Sequence, residues 1–294
     1  MIAAPVADVV HTSQVPRRVI APLVPGWVVV DGLPMYHRSC AGAAAEPGRA
    51  IVHVHGFGIS GSYLEPTAAR LAPRYPTFVP DLPGMGRSIR PERPFDLPAL
   101  ARALMHYCDA VGVERATFVG NSLGCPIIVE VASSFPDRIE RAVLVSPAGG
   151  PNNQPIPRAL GQMMLDGPRE PVTMIPIAVR DYLRFGVLQS WSLFKSMNAY
   201  PTLERLANLL MPTLVIAGTR DPLINFGRVG VFAGLPHVDA VKIEGAHALN
   251  FSRPEIVAAL IEAHVEGRPL VPPAGSTATV ERVEVPAVWD GADA

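Results

Sequence analysis

The stretch ATFVGNSLG at residues 116–124 decides how the chain folds. A short β-branched, apolar run leads into the turn Gly-Asn-Ser-Leu-Gly, and apolar side chains then recur at helical spacing over residues 125–135. A strand that turns this tightly into a helix strains the backbone of the central residue and exposes its side chain at the carboxyl end of the strand. The same five residues could form an ordinary turn, but the strand and helix around them favour Ser122 as a nucleophile.

The chain on both sides of this turn alternates between strand-like and helix-like segments. Strand-like runs, apolar without alternation, lie at residues 50–55, 77–80, 116–119, 142–145, 213–216 and 240–243. Helical spacing of apolar residues is found at 63–71, 97–111, 125–135 and 254–264. Strands that are apolar on both faces belong to a sheet that helices cover on both sides. We therefore expect an α/β fold with a mostly parallel sheet of the eight-stranded type, flanked by helices.

The first two strands are predicted to form a hairpin. Apolar runs at residues 27–30 and 33–40 flank the dipeptide Asp31-Gly32, which is the strongest short-range signal for a two-residue β-turn. The sheet should therefore begin with an antiparallel pair.

Strand-like runs are missing from residues 149–206, a segment rich in proline, methionine and aromatic residues. We interpret it as a helical cap inserted into a core domain that comprises residues 25–148 and 207–266. Residues 1–24 are expected to be an N-terminal extension, and residues 267–294 a polar tail outside the main fold. Within that tail Val283 and Val285 alternate with Glu284, so the tail could instead dock along the body or a neighbouring subunit.

Composition excludes several classes of function. The 294 residues carry a net charge of -1, so the positive field that attracts nucleic acid is missing.

The sequence also bears on localisation. No apolar run approaches the length of a membrane span, and the N-terminus lacks the pattern of a signal peptide. The three cysteines are widely spaced and fit neither a disulfide framework nor a zinc site. We expect a cytoplasmic protein.

A serine nucleophile requires a base and an acid that orients the base. Asp221 follows the strand-like run at 213–216, and His247 follows the run at 240–243. Both positions are carboxyl ends of strands, where open α/β sheets place their sites. Alone, Asp221 could be a turn former before Pro222 and His247 a loop imidazole. Their joint placement and the order Ser, Asp, His favour a catalytic triad.

The oxyanion formed during acyl transfer needs backbone N–H donors. We assign the N–H groups of Phe57, in the loop after the strand at 50–55, and of Leu123, the residue after the nucleophile. His53 and His55 alternate along that strand but lack a third ligand cluster, so we expect them to be structural and predict no metal site.

Five segments together resemble the landmarks of the α/β-hydrolase superfamily over about residues 25–266. They are HGFG at 55–58, DLPGMGRS at 81–88, GNSLG at 120–124, GTRDPL at 218–223 and GAHALNFSRPE at 245–255. The resemblance implies a triad of Ser122, His247 and Asp221, no cofactor, and a variable cap over the substrate pocket. Serine at 122 and glycine at 58 depart from the haloalkane dehalogenase and epoxide hydrolase branches, which use an aspartate nucleophile and usually a proline in the oxyanion loop.

Two branches share more of the pattern. Asn121 before the nucleophile resembles the carbon–carbon bond hydrolases of ring-fission diketones, in which the matching asparagine touches substrate. Those enzymes usually carry an aromatic residue after the catalytic histidine, where this chain has Ala248. Carboxylesterases and lactonases tolerate the same pattern.

The substrate is expected to be a small, apolar carbonyl compound, because the cap is rich in methionine and aromatic residues. Candidate substrate contacts are Asn121, from the resemblance to the carbon–carbon bond hydrolases, and four cap residues, Met163, Tyr182, Phe185 and Trp191. The four cap residues could instead form the core of the cap itself. The leading hypothesis is a serine hydrolase of an ester or lactone. The alternatives are the same triad used for acyl transfer, elimination or carbon–carbon cleavage, and a non-catalytic ligand-binding protein on this scaffold.

Overall fold

The computed structural model describes residues 21–41, 49–148, 158, 161–162, 165–223, 233–273 and 279–282. Its sheet opens with the antiparallel pair β1 (Val24–Val30) and β2 (Leu33–Cys40). Asp31 and Gly32 between them have φ values of 51° and 78°, the left-handed geometry that a type I′ turn requires at both central positions. The predicted hairpin is confirmed.

The remaining strands build one continuous sheet. They are β3 (Ala50–Val54), β4 (Thr77–Pro80), β5 (Ala116–Asn121), β6 (Ile139–Val145), β7 (Thr213–Gly218), β8 (Val238–Ile243) and β9 (Val280–Arg282). The spatial order is β1-β2-β4-β3-β5-β6-β7-β8-β9, and the pairs from β4 through β8 are all parallel. The mostly parallel sheet predicted from the sequence is confirmed over β1 to β8.

Strand β9 comes from the segment after residue 266, which was expected to lie outside the main fold. Val280–Arg282 pairs antiparallel with β8, with Ile243 opposite Val280. The short strand covers the hydrogen-bonding edge that β8 would otherwise leave open. Val283 and Val285, which carried the sequence signal for a strand, lie outside the described residues.

Helices follow the strands and pack on both faces of the sheet. They are α1 (Glu65–Leu71), α2 (Leu97–Ala110), α3 (Gly124–Ser134), α4 (Ile175–Phe185), α5 (Val187–Ala199), α6 (Thr202–Ala207), α7 (Leu249–Ser252) and α8 (Pro254–Val265). Neighbouring strand residues alternate between the two faces: Phe118 packs in the cluster with α2 and α3, and Val119 packs in the cluster with α1 and α8. This double coverage explains why the parallel strands are apolar throughout. No described helix combines the length and the apolar character that a membrane span requires.

Between β6 and β7, the part of the chain that the structure describes forms helices and 3₁₀ turns without a strand. We call α4, α5 and α6 the cap helices. Gly186, with φ of 82°, separates α4 from α5. The Arg90 guanidinium of the core donates to the backbone carbonyl of Phe185 over 3.0 Å, satisfying one of the free carbonyls at the end of α4.

The chain order of the strands reverses beside β3. From β3 the chain moves outward to β4 on one side, and then returns to β5 on the other side. At such a reversal the loops after the two central strands diverge and leave a crevice at their carboxyl ends. The loop after β3 and the turn after β5 are the two segments that carry the predicted oxyanion donors and Ser122.

Candidate active site

Ser122 lies at the turn from β5 into α3 with φ of 55°, a left-handed conformation that non-glycine residues rarely adopt. The flanking glycines make this turn possible. A Cβ atom at Gly120 would lie 2.7 Å from the backbone carbon of Gly124, and one at Gly124 would clash with the carbonyl oxygen of Val54. The strain is therefore held in place by the close packing of β3, β5 and α3.

Asp221 and His247 lie on the loops after β7 and β8 and are joined by a hydrogen bond. His247 Nδ1 is 2.8 Å from Asp221 Oδ2, and the other carboxylate oxygen accepts the backbone N–H of Leu223 over 2.8 Å. The two loops are themselves connected, because the N–H of Arg220 donates to the carbonyl of Gly245 over 2.9 Å. The Asp221 side chain is fully buried, so water screens its charge little and the charge acts strongly on the His247 imidazole.

The pKa values of the two groups are shifted in opposite directions. Burial by itself raises the pKa of Asp221, but the charge and hydrogen bond of His247 hold that pKa below its usual value. Burial by itself lowers the pKa of His247, but the charge and hydrogen bond of Asp221 raise it to about 9, with contributions from Asp166 and Glu170. The carboxylate therefore stabilises the imidazolium, the form that a catalytic histidine takes after it accepts a proton.

Asp166 and Glu170 precede the cap helices and contact the segment that carries His247. Glu170 Oε1 accepts the backbone N–H of Ala248 over 2.6 Å, and Asp166 is hydrogen-bonded to the backbone of His247. Burial raises the pKa of both carboxyls. Neither residue was predicted to belong to the site, because no local sequence pattern links them to a loop about 80 residues further along the chain.

The loop after β3 lies against Ser122. A Cβ atom at Gly56 would be 3.3 Å from the Cβ of Ser122. His55 orients this loop: its Nε2 accepts the N–H of Leu82 over 2.9 Å, so its Nδ1 carries the proton and donates to the carbonyl of Gly56 over 2.9 Å. Burial lowers the pKa of His55 and keeps the ring neutral.

The backbone N–H groups of Phe57 and Leu123 have no hydrogen-bond acceptor among the described residues. The N–H of Leu123 lies at the start of α3, where the helix dipole favours negative charge. Two free donors beside a serine are suited to bind an oxyanion.

His53 has a different environment. It is fully buried in β3, and burial lowers its pKa to about 3, so the ring is neutral at physiological pH. No group of three metal-ligating side chains suited to an ion occurs among the residues that the structure describes.

A family model described as the alpha/beta hydrolase family matches residues 51–260, which include Ser122, Asp221 and His247. The chain belongs to the alpha/beta hydrolase family. The resemblance drawn from the five sequence segments is thereby confirmed.

Several known proteins resemble the chain to different extents. An uncharacterized protein of Mycobacterium tuberculosis is 34% identical over 135 residues, which are 46% of this chain and only 38% of that protein. A poly(3-hydroxyalkanoate) depolymerase of Ectopseudomonas oleovorans is 27% identical over 231 residues, 70% of this chain and 81% of that protein. The crystal structure of an enol-lactonase from Burkholderia xenovorans LB400 superposes with a TM-score of 0.69 at 21% identity, covering 82% of this chain and 100% of that chain.

Asn121, proposed from the sequence as a substrate contact, is buried, and its side-chain amide is hydrogen-bonded to protein groups. Its Oδ1 accepts the hydroxyl of Tyr63 over 2.7 Å, and its Nδ2 lies 3.2 Å from the carbonyl oxygens of both Val145 and His247. The Tyr63 hydroxyl in turn accepts the N–H of Gly56 over 2.8 Å. The structure thus places Asn121 in a buried hydrogen-bond network, and its contact with substrate stays a prediction.

The other candidate contacts divide into three groups. Tyr182 and Phe185, on α4, pack over Gly58, where an added Cβ would lie 2.9 Å from the Tyr182 ring. The Phe185 ring also meets the edge of Phe57, with centroids 5.3 Å apart. Trp191 is half exposed on α5, and Met163 lies outside the described residues.

Proposed function

We propose that this chain is a serine hydrolase that acts on an apolar carboxylic ester or lactone through Ser122, His247 and Asp221. The hydrogen bond of 2.8 Å between His247 and the buried Asp221 carries the proposal, together with the strained turn that presents Ser122 at the same edge of the sheet. A ligand-binding protein would have no need of a buried carboxylate paired with a histidine beside a strained serine.

The chemistry follows from the roles that the contacts permit. Ser122 Oγ attacks the carbonyl carbon while its proton passes to His247 Nε2, because Nδ1 is occupied by Asp221. The N–H groups of Phe57 and Leu123 bind the resulting oxyanion. His247 returns the proton to the departing alkoxide, which leaves an ester of Ser122. Water, deprotonated by His247, then releases the acid and restores Ser122.

The apolar substrate class is supported by the aromatic side chains beside the oxyanion loop. The Phe57 ring contacts Phe185 and Phe194, with centroids 5.3 and 5.8 Å apart. These rings belong to α4 and α5, so we propose that residues 149–206 form a cap over the acyl site. The names of the depolymerase and lactonase relatives agree with an ester or lactone substrate. Cleavage of carbon–carbon bonds is less well supported, because the amide of Asn121 is already bonded to protein groups.

Replacement of the nucleophile tests the proposal. Ser122→Ala should lower kcat/KM for p-nitrophenyl esters by about 10⁴-fold, because triad residues act as a unit. Ser133→Ala, which removes an exposed hydroxyl on α3, serves as the matched control and should retain full activity. If Ser122→Ala kept more than about a tenth of the rate, the assignment of the nucleophile would be wrong.

Isotope labelling separates hydrolysis from transfer. The wild-type chain is incubated with ester in ¹⁸O-labelled water, and the product acid is analysed by mass spectrometry. Hydrolysis places the label in the released acid, because water attacks the acyl-enzyme. Product without label, or product that forms only when a second acceptor is added, would instead show acyl transfer or elimination.

A further inference from the structure

Helix α4 exposes a continuous row of large apolar side chains. Ile175, Val179 and Leu183 follow one another at four-residue spacing on one face of the helix, with exposed fractions of 52%, 54% and 81%. Val172, in the preceding 3₁₀ turn, is 76% exposed. We call these four residues the outer stripe. A contiguous exposed apolar surface of this kind marks an interaction site in a folded protein.

The opposite face of α4 is fixed to the core, so the outer stripe cannot turn inward without breaking contacts. Ile177 and Ala178 pack against the cluster that contains Tyr63 and Leu64. Asp181 is fully buried, and its Oδ2 accepts the backbone N–H of Ser60 over 2.8 Å. Rotation of the helix would leave this carboxylate without its partner inside the protein, which is strongly unfavourable.

Charges on this part of the molecule are segregated. Between residues 165 and 200 the exposed charged side chains are all cationic, namely Arg169, Arg184 and Lys195. The acidic residues of the same span, Asp166, Glu170 and Asp181, turn inward and bond to the core. The exposed side chains of this span therefore combine apolar groups with positive charge, although the whole chain has a net charge of -1.

We infer that the outer stripe docks this protein on an anionic lipid surface. An amphipathic helix with apolar residues on one face and cations beside them lies in the boundary between headgroups and acyl chains. There the outer stripe leaves water, and Arg169, Arg184 and Lys195 meet lipid phosphates. A second copy of the chain fits less well, because a symmetric contact would bring the same cations together without exposed acids to pair with them.

Docking would bring the lipid phase close to the proposed acyl site. Tyr182 and Phe185 of the same helix pack over Gly58 in the oxyanion loop. One face of α4 thus contacts the site while the other contacts the lipid. An apolar ester dissolved in the bilayer would reach the site across this helix without crossing bulk water.

Vesicle co-sedimentation tests the inference separately from catalysis. The full-length Ser122→Ala chain, which does not turn over substrate, is mixed with vesicles of phosphatidylcholine alone or with phosphatidylglycerol. It should partition onto the anionic vesicles and dissociate as salt is raised, because the Debye length shortens. Adding Val179→Glu and Leu183→Glu should weaken this partitioning by about tenfold or more. Leu210→Glu, at an equally exposed leucine outside the outer stripe, should leave it unchanged.

Three results would overturn the inference. They are failure of the Ser122→Ala chain to bind anionic vesicles, equal binding by the double glutamate variant, and a dimer in sedimentation velocity that the double variant converts to monomer. The glutamates replace exposed side chains, so the variants should fold, and thermal unfolding checks this. Active-site labelling of Ser122 by a fluorophosphonate in the otherwise wild-type chain reports the proposed function independently.

Discussion

The side-chain amide of Asn121 donates a hydrogen bond to the backbone carbonyl of His247 over 3.2 Å. The residue next to Ser122 thereby holds the loop that carries His247. Through the Tyr63 hydroxyl, the same amide is connected to the N–H of Gly56 in the loop after β3. Three separate segments of the site therefore depend on one buried network, in which each polar group satisfies another.

Tyr63→Phe should break the hydrogen bonds that connect the loop after β3 with Asn121. It leaves the N–H of Gly56 and the Oδ1 of Asn121 buried without a partner, which should lower the free energy of unfolding by about 1–3 kcal/mol. We expect kcat to fall by about tenfold or more with a smaller change in KM, because the oxyanion donors lose their alignment.

Tyr107→Phe is the matched control, since it removes another buried hydroxyl, which lies 2.8 Å from His37 Nδ1 and away from the site. It should lower stability without lowering kcat. Equal kcat values for the two variants would show that Tyr63 has only a structural role.

Glu170→Gln should shift the pH profile of kcat/KM toward acid. In the proposed mechanism His247 must be neutral to accept the proton of Ser122, so activity should be lost below the pKa of His247, which the surrounding carboxylates raise to about 9. Removal of the Glu170 charge lowers that pKa, and the acid limb moves to lower pH. The glutamine oxygen still accepts the N–H of Ala248. Glu114→Gln, at an exposed glutamate, should leave the limb in place. An unshifted limb in Glu170→Gln would contradict the proposed electrostatic contact.

Gly124→Ala should destabilise the fold. Its Cβ would clash with the carbonyl oxygen of Val54, so β3 and the turn at Ser122 must separate. We expect the free energy of unfolding to fall by about 2 kcal/mol or more in chemical denaturation. Gly161→Ala meets no atom within 4 Å and should change stability little. A stable Gly124→Ala variant would mean that the strained turn has room to relax.

Asp181→Ala should loosen the attachment of α4. The N–H of Ser60 would lose its acceptor, and the guanidinium of Arg180 would lose the carboxylate 2.7 Å away. We expect the free energy of unfolding, measured by thermal unfolding, to fall by about 1–3 kcal/mol.

The effect should depend on pH. Burial by itself raises the pKa of Asp181, but Arg180 and Ser60 hold that pKa below its usual value. The contribution of Asp181 is therefore present above the ordinary aspartate pKa and is lost as pH falls through the lowered one. Asp239→Ala, at a surface ion pair with Arg282, should have little effect.

Local chemistry explains which parts of the fold could be predicted. The Asp31-Gly32 turn and the turn around Ser122 each require backbone angles that only a few residue types tolerate, so they are visible in a few consecutive letters. The apolar runs of β3 to β8 reflect burial on both faces, a constraint that each strand meets independently. The positions of Asp221 and His247 followed from the same rule, because the carboxyl ends of parallel strands share one edge.

Other parts of the fold and the site could not be predicted from the sequence, because they depend on long-range contacts. Tyr63 and Asn121 are 58 residues apart, and Glu170 and Ala248 are 78 residues apart, so no spacing rule connects them. Strand β9 joins the sheet because the edge of β8 is open to pairing. The sequence of the tail gives no information about that edge, so the pairing could not be predicted from it.

The order of strands and helices, the tight turn at Ser122 and the loops that carry Asp221 and His247 could be predicted from local sequence, because turn geometry and hydrophobic periodicity are local properties. The buried network around Asn121 and the outward-facing apolar row of α4 could be seen only in the folded chain. Both outcomes depend on burial and pairing between segments distant in the chain, and those free energies exist only once the segments have packed together.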